Sequence, residues 1–136
     1  MKIAYVDSLV GVTAADLHGF FVGWPNPPSP ETHYRLLQGS QHILLARDGA
    51  TGQIVGFITA ISDGVLCAYI PLLEVLPAYQ GQGIGGELVR RMLARLDGLY
   101  MVDLLCDEAL QDFYRPLGLQ PATGMMKRNY ARQSGG

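Results

Sequence analysis

The 136-residue chain has few cysteines, few charged residues and no long run of either charge. Its two cysteines, Cys67 and Cys106, are too few for a disulfide framework or a zinc site. Each lies in an apolar stretch, which predicts reduced and buried thiols. The chain has ten Lys and Arg residues and twelve Asp and Glu residues, which gives a net charge of −2. Nucleic-acid-binding domains usually carry a basic patch, and this balance of charges gives no sign of one. The composition therefore predicts neither a metal site nor a nucleic-acid partner.

The N-terminus lacks the charged start and the long apolar stretch of a secretory signal. No apolar run reaches the ~18 residues that a membrane-spanning helix needs, so we predict a cytoplasmic protein without a membrane partner. Hydrophobic residues nevertheless make up 49% of the chain, which argues against intrinsic disorder. A chain of this length buries roughly two-thirds of its unfolded surface, and we predict a single domain over residues 1–136.

Hydrophobic periodicity and turn signals predict a mixed α/β sheet with helices on both faces, in the order β-α-α-β-β-β-α-β-α-β. This alternation excludes a helical bundle and a repeat protein. The strands are expected at about 2–6, 43–46, 54–61, 65–76, 101–106 and 119–129, and the helices after Thr13, from Ser29 to Gly39, from Ile84 to Leu96 and from Asp107 to Tyr114.

Prolines mark two irregular places in this pattern. Four of the eight prolines lie between Trp24 and Pro30. Because proline lacks an N–H group and restricts the residue before it, this segment is predicted to be a loop between the first two helices. Pro71 lies inside the long apolar strand at 65–76, where it predicts a bulge or a break in strand pairing.

The segment Tyr79–Leu88 (YQGQGIGGEL) is the most informative part of the sequence. It places four glycines, at positions 81, 83, 85 and 86, between a buried strand and an amphipathic helix. Glycine permits positive φ angles and close backbone approach, and a helix N-terminus presents unpaired N–H groups with a partial positive charge. Together these features predict a site for phosphate oxygens that uses main-chain donors. A tight glycine turn that binds no ligand is the simpler alternative.

Two common phosphate ligands are disfavoured by the context of this turn. Glu87 follows the glycines instead of the Lys and Ser or Thr of a P-loop, which disfavours a magnesium-assisted triphosphate site. The turn also follows a hairpin meander in the second half of the chain, whereas the dinucleotide-binding fingerprint follows the first strand of a parallel unit. A different phosphate-bearing ligand is therefore favoured.

Two motifs resemble those of the GCN5-related N-acetyltransferases (GNAT). Gln80-Gly81-Gln82-Gly83-Ile84-Gly85 matches the Q/R-x-x-G-x-G/A signature of that family. About 30 residues later, Phe113-Tyr114-x-Pro116-Leu117-Gly118-Leu119 resembles its F-Y-x-x-L-G-F segment. The motifs occur in the expected order, and the predicted element order is similar to the GNAT fold. The resemblance covers residues 41–130 closely and the first 40 residues by topology.

The resemblance implies a site for an acyl-CoA, with acetyl-CoA as cosubstrate. Main-chain amides of the glycine turn would hold the pyrophosphate, and the pantetheine arm would run beside Leu73 and Val75. Where many family members contact the pantetheine with an asparagine, this chain has Asp107, which can only accept hydrogen bonds when ionised. Tyr114 would contact the sulfur atom. The implied binding residues in the turn are Gln80, Gly81, Gln82, Gly83, Ile84, Gly85 and Gly86.

Acetyl transfer to an amine requires an alkylammonium to lose its proton, which costs roughly 4–5 kcal/mol at pH 7. By resemblance, Tyr114 would hydrogen-bond or protonate the leaving thiolate; helix packing is its alternative role.

Glu74 is the only charged residue in the strand at 65–76, and an isolated acid there must face water, a partner or a cleft. It is therefore a candidate catalytic base or substrate contact, with a solvated or paired strand residue as the alternative. His33 or a chain of waters are other candidates for the base.

The acceptor pocket is predicted between the first two helices and their proline-rich loop. Its candidate wall residues are Phe20, Phe21, Trp24 and Tyr34, beside Glu74, and core packing is the alternative role of these aromatic residues.

The predicted function is direct transfer of an acetyl group from acetyl-CoA to a primary amine of a small molecule or peptide in a ternary complex. A non-catalytic acyl-CoA sensor or interaction module of the same fold, and a domain for another phosphate ligand, are the alternatives. The resemblance also permits a homodimer.

Overall fold

Six strands form one mixed sheet within residues 2–136, the part of the chain that this computed structural model describes. The strands are β1 (Ile3–Val6), β2 (His42–Asp48), β3 (Ile54–Ser62), β4 (Cys67–Tyr69), β5 (Leu73–Val75) and β6 (Met101–Asp103). The sheet order is β1-β2-β3-β4-β6, with β5 pairing to β3 next to β4, and all neighbours are antiparallel except β4 and β6. The predicted mixed α/β fold class is confirmed.

Helices and short 3₁₀ turns connect the strands and cover both faces of the sheet. Pro30 occupies the first position of the second predicted helix, and the Ser29 hydroxyl caps it by accepting a hydrogen bond from the Thr32 N–H at 3.1 Å. No helix within residues 2–136 has the length and apolar character that a bilayer crossing requires. The α-helices are α1 (Pro30–Gly39), α2 (Ile84–Arg95) and α3 (Gln111–Tyr114).

The predicted interruption at Pro71 divides the long strand expected at 65–76 into β4 and β5. The partners of Ile58 and Ile61, three residues apart on β3, are Leu73 and Tyr69, which are four residues apart on the paired segment. One extra residue around Pro71 therefore makes a bulge. Among the described strands, β5 pairs only with β3, and β6 pairs only with β4. A gap thus opens between β5 and β6, and the outer edge of β5 faces this gap.

The register of β5 against β3 decides which side chains face which layer of helices. Glu74 pairs with Phe57, which packs against α1 and the aromatic residues before it, so the Glu74 side chain lies on the α1 face. Leu73 and Val75 lie on the opposite face, beneath α2. A Cβ atom at Gly56 would lie 3.2 Å from a leucine methyl group of α2. Glycine at this position of β3 therefore lets α2 approach the sheet.

The predicted first helix after Thr13 is only a single 3₁₀ turn, Ala14–Leu17. The Asp16 carboxylate accepts a hydrogen bond from the Thr13 N–H at 2.9 Å and thereby closes the turn. The backbone becomes extended immediately afterwards. Phe20 and Phe21 consequently lie in a turn, although both side chains are buried. We refer to residues 18–24 as the aromatic turn.

The predicted final strand at 119–129 is not formed. The segment is exposed, with Met125 at 95%, and a cleft of about 1170 Å³ separates it from β6. One reason is that β6 has three residues instead of the six predicted, so it offers a short edge for pairing. A second reason is Pro121, which has no N–H group to donate to a neighbouring strand.

Both cysteines are free, and neither is fully buried. Cys67 is half-buried in β4, and Cys106 is exposed. The prediction of two buried thiols was wrong because β6 ends at Asp103, which leaves Cys106 beyond the strand and outside the core.

His33 on α1 is a buried histidine without a hydrogen-bond partner. Its side chain is 1% exposed, and neither ring nitrogen has a partner within the described residues. The rings of Phe20, Phe21 and Phe57 surround it at centroid distances of 5.3, 5.0 and 4.4 Å. Burial lowers the pKa of His33 to about 4, because apolar surroundings disfavour the charged imidazolium. His33 is therefore neutral at pH 7 and enclosed by aromatic rings.

We expect acid to destabilise this fold through His33. The unfolded chain binds a proton at this residue near pH 6.5 and the folded chain only near pH 4, so the unfolded state holds more protons between these values. The contribution of neutral His33 is fully present above about pH 6.5 and is lost as the pH falls toward 4, a change of about 3 kcal/mol. Urea denaturation across this pH range measures the free energy of unfolding. His33→Leu should remove this part of the decline, and equal declines in both proteins would contradict the prediction.

Candidate active site

The glycine turn before α2 leaves six consecutive main-chain N–H groups without an acceptor. Gly81 and Gly83 have φ angles of +77° and +84°, and α2 begins directly after Gly83. The Glu87 N–H donates to the Gly83 carbonyl at 3.1 Å, but no N–H group of residues 81–86 donates a hydrogen bond within the described chain. These groups form a set of donors for an anion. They belong to the predicted residues Gly81, Gln82, Gly83, Ile84, Gly85 and Gly86.

The charges around the start of α2 favour an anion. The helix dipole places a partial positive charge there. Glu87 in the first turn is neutralised because its carboxylate accepts from Arg91 at 2.7 Å and from Arg90 at 3.4 Å, and the Arg91 hydrogen bond is the main reason that the pKa of Glu87 is lowered. The Arg90 guanidinium also lies 3.5 Å from the place of a Cβ atom at Gly86. Sequence reasoning missed Arg90, although its four-residue spacing from Gly86 was an available signal.

Two side chains hold the glycine turn against the sheet. The Tyr79 hydroxyl donates a hydrogen bond to Asp48 Oδ2 at 2.7 Å, which ties the turn to the end of β2. This bond is the main reason that the pKa of Asp48 is lowered and that of Tyr79 is raised. Gln80 Nε2 donates to the Val75 carbonyl at 3.0 Å. The sequence did not reveal the first of these contacts, because its two residues are 31 positions apart.

The outer edge of β5 presents main-chain groups to the gap beside β6. The Leu72 carbonyl and the Leu76 N–H bond to β3 at 3.1 and 2.8 Å. The direction of main-chain hydrogen bonding alternates along a strand, so the N–H and C=O groups of Leu73 and Val75 point away from β3. An extended ligand with amide groups can pair with such an edge as an added strand does.

Tyr114 on α3 lies close to the glycine turn. The Phe113 ring is 3.5 Å from the place of a Cβ atom at Gly85 and packs edge-on against Tyr114 with a centroid distance of 4.8 Å. The Tyr114 side chain is 9% exposed and lines the cleft of about 1170 Å³ together with Tyr69 and Cys106. Burial raises the pKa of Tyr114 to about 12, with a smaller effect from Cys106. Tyr114 is therefore a neutral hydrogen-bond donor at physiological pH.

Asp107 is exposed and precedes the 3₁₀ turn Glu108–Leu110. Its main-chain carbonyl accepts a hydrogen bond from the Leu110 N–H at 2.8 Å, and its carboxylate does not cap the turn. A contact between this carboxylate and a pantetheine arm stays a prediction.

The Glu74 carboxylate binds two main-chain N–H groups of the aromatic turn. Oε1 accepts from the Phe21 N–H at 2.8 Å, and Oε2 accepts from the Val22 N–H at 3.2 Å. Phe21 has a φ angle of +62° and is the only non-glycine residue with a left-handed φ in the described chain. This conformation costs roughly 1–2 kcal/mol for an L-residue. The two N–H groups that donate to Glu74 therefore hold a strained turn in place on the α1 face of the sheet.

A cavity of about 370 Å³ lies between α1 and the aromatic turn. Phe21 and Trp24 line it, whereas Phe20 packs in the core and Tyr34 is half-buried outside the lining. The prediction did not include Thr32, Arg35 and Leu36 of α1, which line the cavity. These residues share one helix face because Arg35 and Leu36 lie three and four positions after Thr32. The sequence showed that spacing but not which face would meet the turn. The additional lining residues are Pro28, Thr32, Arg35, Leu36, Leu72, Gln133 and Gly135.

Solved structures share this arrangement of strands and helices. A candidate acetyltransferase from Deinococcus radiodurans R1 has a TM-score of 0.94 and 50% sequence identity, with coverage of 97% of this chain and 92% of that chain. A GNAT family acetyltransferase from Streptococcus pneumoniae TIGR4 has a TM-score of 0.76 and 34% identity, with coverage of 94% and 98%.

Curated relatives point to the same family. Histone acetyltransferase TAP1 of Glycine max is 30% identical over 109 residues, which cover 73% of this chain and 47% of that protein. Serotonin N-acetyltransferase 2, chloroplastic, of Oryza sativa subsp. japonica is 31% identical over 117 residues, which cover 82% and 58%. The chain spans about half the length of the curated relatives it matches. The family model described as Acetyltransferase (GNAT) family matches residues 10–119. The chain belongs to the GNAT family of acetyltransferases.

Proposed function

We propose that this protein transfers the acetyl group of acetyl-CoA directly to a primary amine of a small molecule or peptide in a ternary complex. The observation that carries the proposal is the set of six unpaired N–H groups at 81–86, close to an open strand edge. A diphosphate and an extended chain of amides are the two parts of coenzyme A that such groups can bind. Membership of an acetyltransferase family supports the same function.

The proposed contacts with acetyl-CoA fall into two groups. The N–H groups of Gly81–Gly86 would donate to the pyrophosphate, with Gln80 holding the turn and Arg90 adding a positive charge. The N–H and C=O groups of Leu73 and Val75 would pair with the pantetheine amides. Bound acetyl-CoA supplies the activated thioester carbonyl.

We propose that Tyr114 stabilises the leaving thiolate by donating a hydrogen bond. Its pKa of about 12 lies far above the ordinary thiol value near 8.5. Complete proton transfer from the hydroxyl to a thiolate would therefore be unfavourable by about 5 kcal/mol. A hydrogen bond from the neutral hydroxyl avoids that cost, and burial keeps the hydroxyl protonated.

We propose that Glu74 positions the acceptor and receives its proton, directly or through water. The carboxylate lies on the α1 face of β5, and each oxygen accepts one main-chain N–H bond from the aromatic turn. An ionised carboxylate has about four acceptor positions, so lone pairs are left for the ammonium group of a substrate. Glu74 would thereby have two roles: it holds the aromatic turn beside the cavity, and it receives the proton that the amine must lose.

Two measurements test this function. Acetyl-CoA at about one hundred times its Kd should raise the free energy of unfolding by about 2.7 kcal/mol and Tm by on the order of 10 °C, while ATP and NAD should not. Release of free thiol should then follow from the right acceptor among amino acids, polyamines, aminoglycosides and peptides. Binding without thiol release from any amine would favour the non-catalytic sensor, and no binding at millimolar acetyl-CoA would overturn the proposal. The cytoplasmic location and the homodimer stay predictions.

A further inference from the structure

We infer that the acceptor is a small amine with an apolar body and one carboxylate, and that Arg35 binds that carboxylate. The inference rests on the proposed function, because it assigns the cavity between α1 and the aromatic turn to the acceptor. Its chemical class is that of an amino acid with an apolar side chain.

The walls of the cavity suit a small and largely apolar body. The volume of about 370 Å³ is near the lower end of the range of about 300–1,000 Å³ for small-molecule sites. The rings of Phe21 and Trp24, with centroids 4.9 Å apart, form one side, and Leu36 and Leu72 add aliphatic surface. An apolar side chain that enters this space loses contact with water, which favours binding. Long polar oligosaccharides do not match this lining.

Arg35 supplies the only formal charge in the lining of this cavity. No carboxylate within residues 2–136 forms an ion pair with it, although Glu31 lies one helical turn earlier on α1. An unpaired guanidinium presents parallel N–H groups that fit a carboxylate with two hydrogen bonds. The exposed Arg35 side chain therefore places a carboxylate-binding group at the solvent side of the cavity.

The single positive charge discriminates between classes of amine. One guanidinium balances one carboxylate, whereas a phosphate monoester carries about −1.5 to −2 at pH 7 and would stay partly uncompensated. Polyamines, aminoglycosides and lysine-rich peptides would bring several positive charges toward Arg35, and like charges at an interface are unfavourable.

Glu74 sets the direction of the amine. Leu72 lines the cavity, and Glu74 follows two residues later on the same face of the chain, about 7 Å along it. Glu74 is not itself part of the lining, but its carboxylate adjoins the cavity wall through the Phe21 N–H, from which it accepts a hydrogen bond at 2.8 Å. A positive group at the solvent side and a negative group at the sheet side match the two ends of an amino acid. The carboxylate would meet Arg35, and the amine would face β5.

Matched pairs of ligands test this inference without requiring turnover. Phenylalanine, leucine and methionine are compared with the amines that lack only the carboxylate, by calorimetry on the protein saturated with coenzyme A. In at least one pair, the amino acid should bind about ten- to one hundredfold more tightly, the range expected for hydrogen bonds between charged groups. Arg35→Gln should abolish that preference, because the amino acid then loses the guanidinium that binds its carboxylate. Arg95→Gln, at the far end of α2, is the matched control and should keep the preference.

The inference fails if the simple amines bind as tightly as the amino acids in every pair, if Arg35→Gln keeps the preference, or if no amino acid binds at millimolar concentration. Thiol release from acetyl-CoA, measured with the same compounds, reports separately on the proposed function. Release with simple amines alone would overturn this inference and keep the acetyltransferase function. Absence of acetyl-CoA binding would overturn the function itself.

Discussion

Gly83→Val is expected to weaken acetyl-CoA binding about a thousandfold, since the loss of two charge-assisted hydrogen bonds costs about 4 kcal/mol. Gly83 has a φ angle of +84°, which a β-branched residue adopts only with strain. The turn must therefore rearrange, and the N–H groups of residues 81–86 lose the arrangement that we propose binds the diphosphate. Isothermal titration with acetyl-CoA measures the change in Kd.

Two other glycines separate this effect from a general loss of structure. A Cβ atom at Gly85 would make ordinary contacts, 3.5 Å from the Phe113 ring and 3.7 Å from a Val75 methyl group. Gly85→Ala keeps its N–H group and should change Kd by less than about tenfold. Gly98 has no atom within 4 Å of such a Cβ, and Gly98→Ala should bind as the wild type does. If Gly83→Val retains its circular dichroism and near-normal affinity, the turn is not the diphosphate site.

Tyr114→Phe is expected to lower kcat about one hundred- to one thousandfold, the range for removal of one preorganised donor to a developing negative charge. Phenylalanine keeps the buried ring, so Tm and the Kd for acetyl-CoA should change little. Steady-state kinetics with the acceptor found by thiol release, together with calorimetry, separates the two quantities. Tyr130→Phe is the control, because Tyr130 is 66% exposed and does not line the cleft that contains Tyr114.

The pH dependence of kcat checks the state of this hydroxyl. Because burial raises the pKa of Tyr114 to about 12, the hydroxyl should stay protonated and functional up to about pH 10. A fall in kcat below pH 10 that disappears in Tyr114→Phe would show instead that Tyr114 ionises in the working range. An unchanged kcat in the variant would remove Tyr114 from the mechanism.

Features that depend on neighbours along the chain were predictable from the sequence. The glycines at 81 and 83 and the periodic apolar residues from Ile84 onward predicted a turn followed by α2, because glycine conformation and helical spacing are local properties. The bulge at Pro71 and the Ser29 cap of α1 followed for the same reason.

Features that depend on a partner element were predicted less well. The segment 119–129 looked like a strand, but a strand forms only against another edge, and the short β6 offers little of one. The aromatic residues after Leu17 were assigned to a helix, whereas Phe21 has a left-handed φ that its own sequence does not favour. Its conformation depends on two hydrogen bonds that the turn donates to a strand residue far along the chain.

The sequence by itself determined that a glycine turn precedes α2 and that Glu74, an acid inside an apolar strand, must face water, a partner or a cleft. Only the tertiary structure decided that Glu74 has a partner, the main chain at Phe21, 53 residues away, and that Phe21 and Arg35 line one cavity. The physical reason is that main-chain conformation is governed over a few residues, whereas the meeting of distant side chains depends on how α1 and the aromatic turn pack on the sheet.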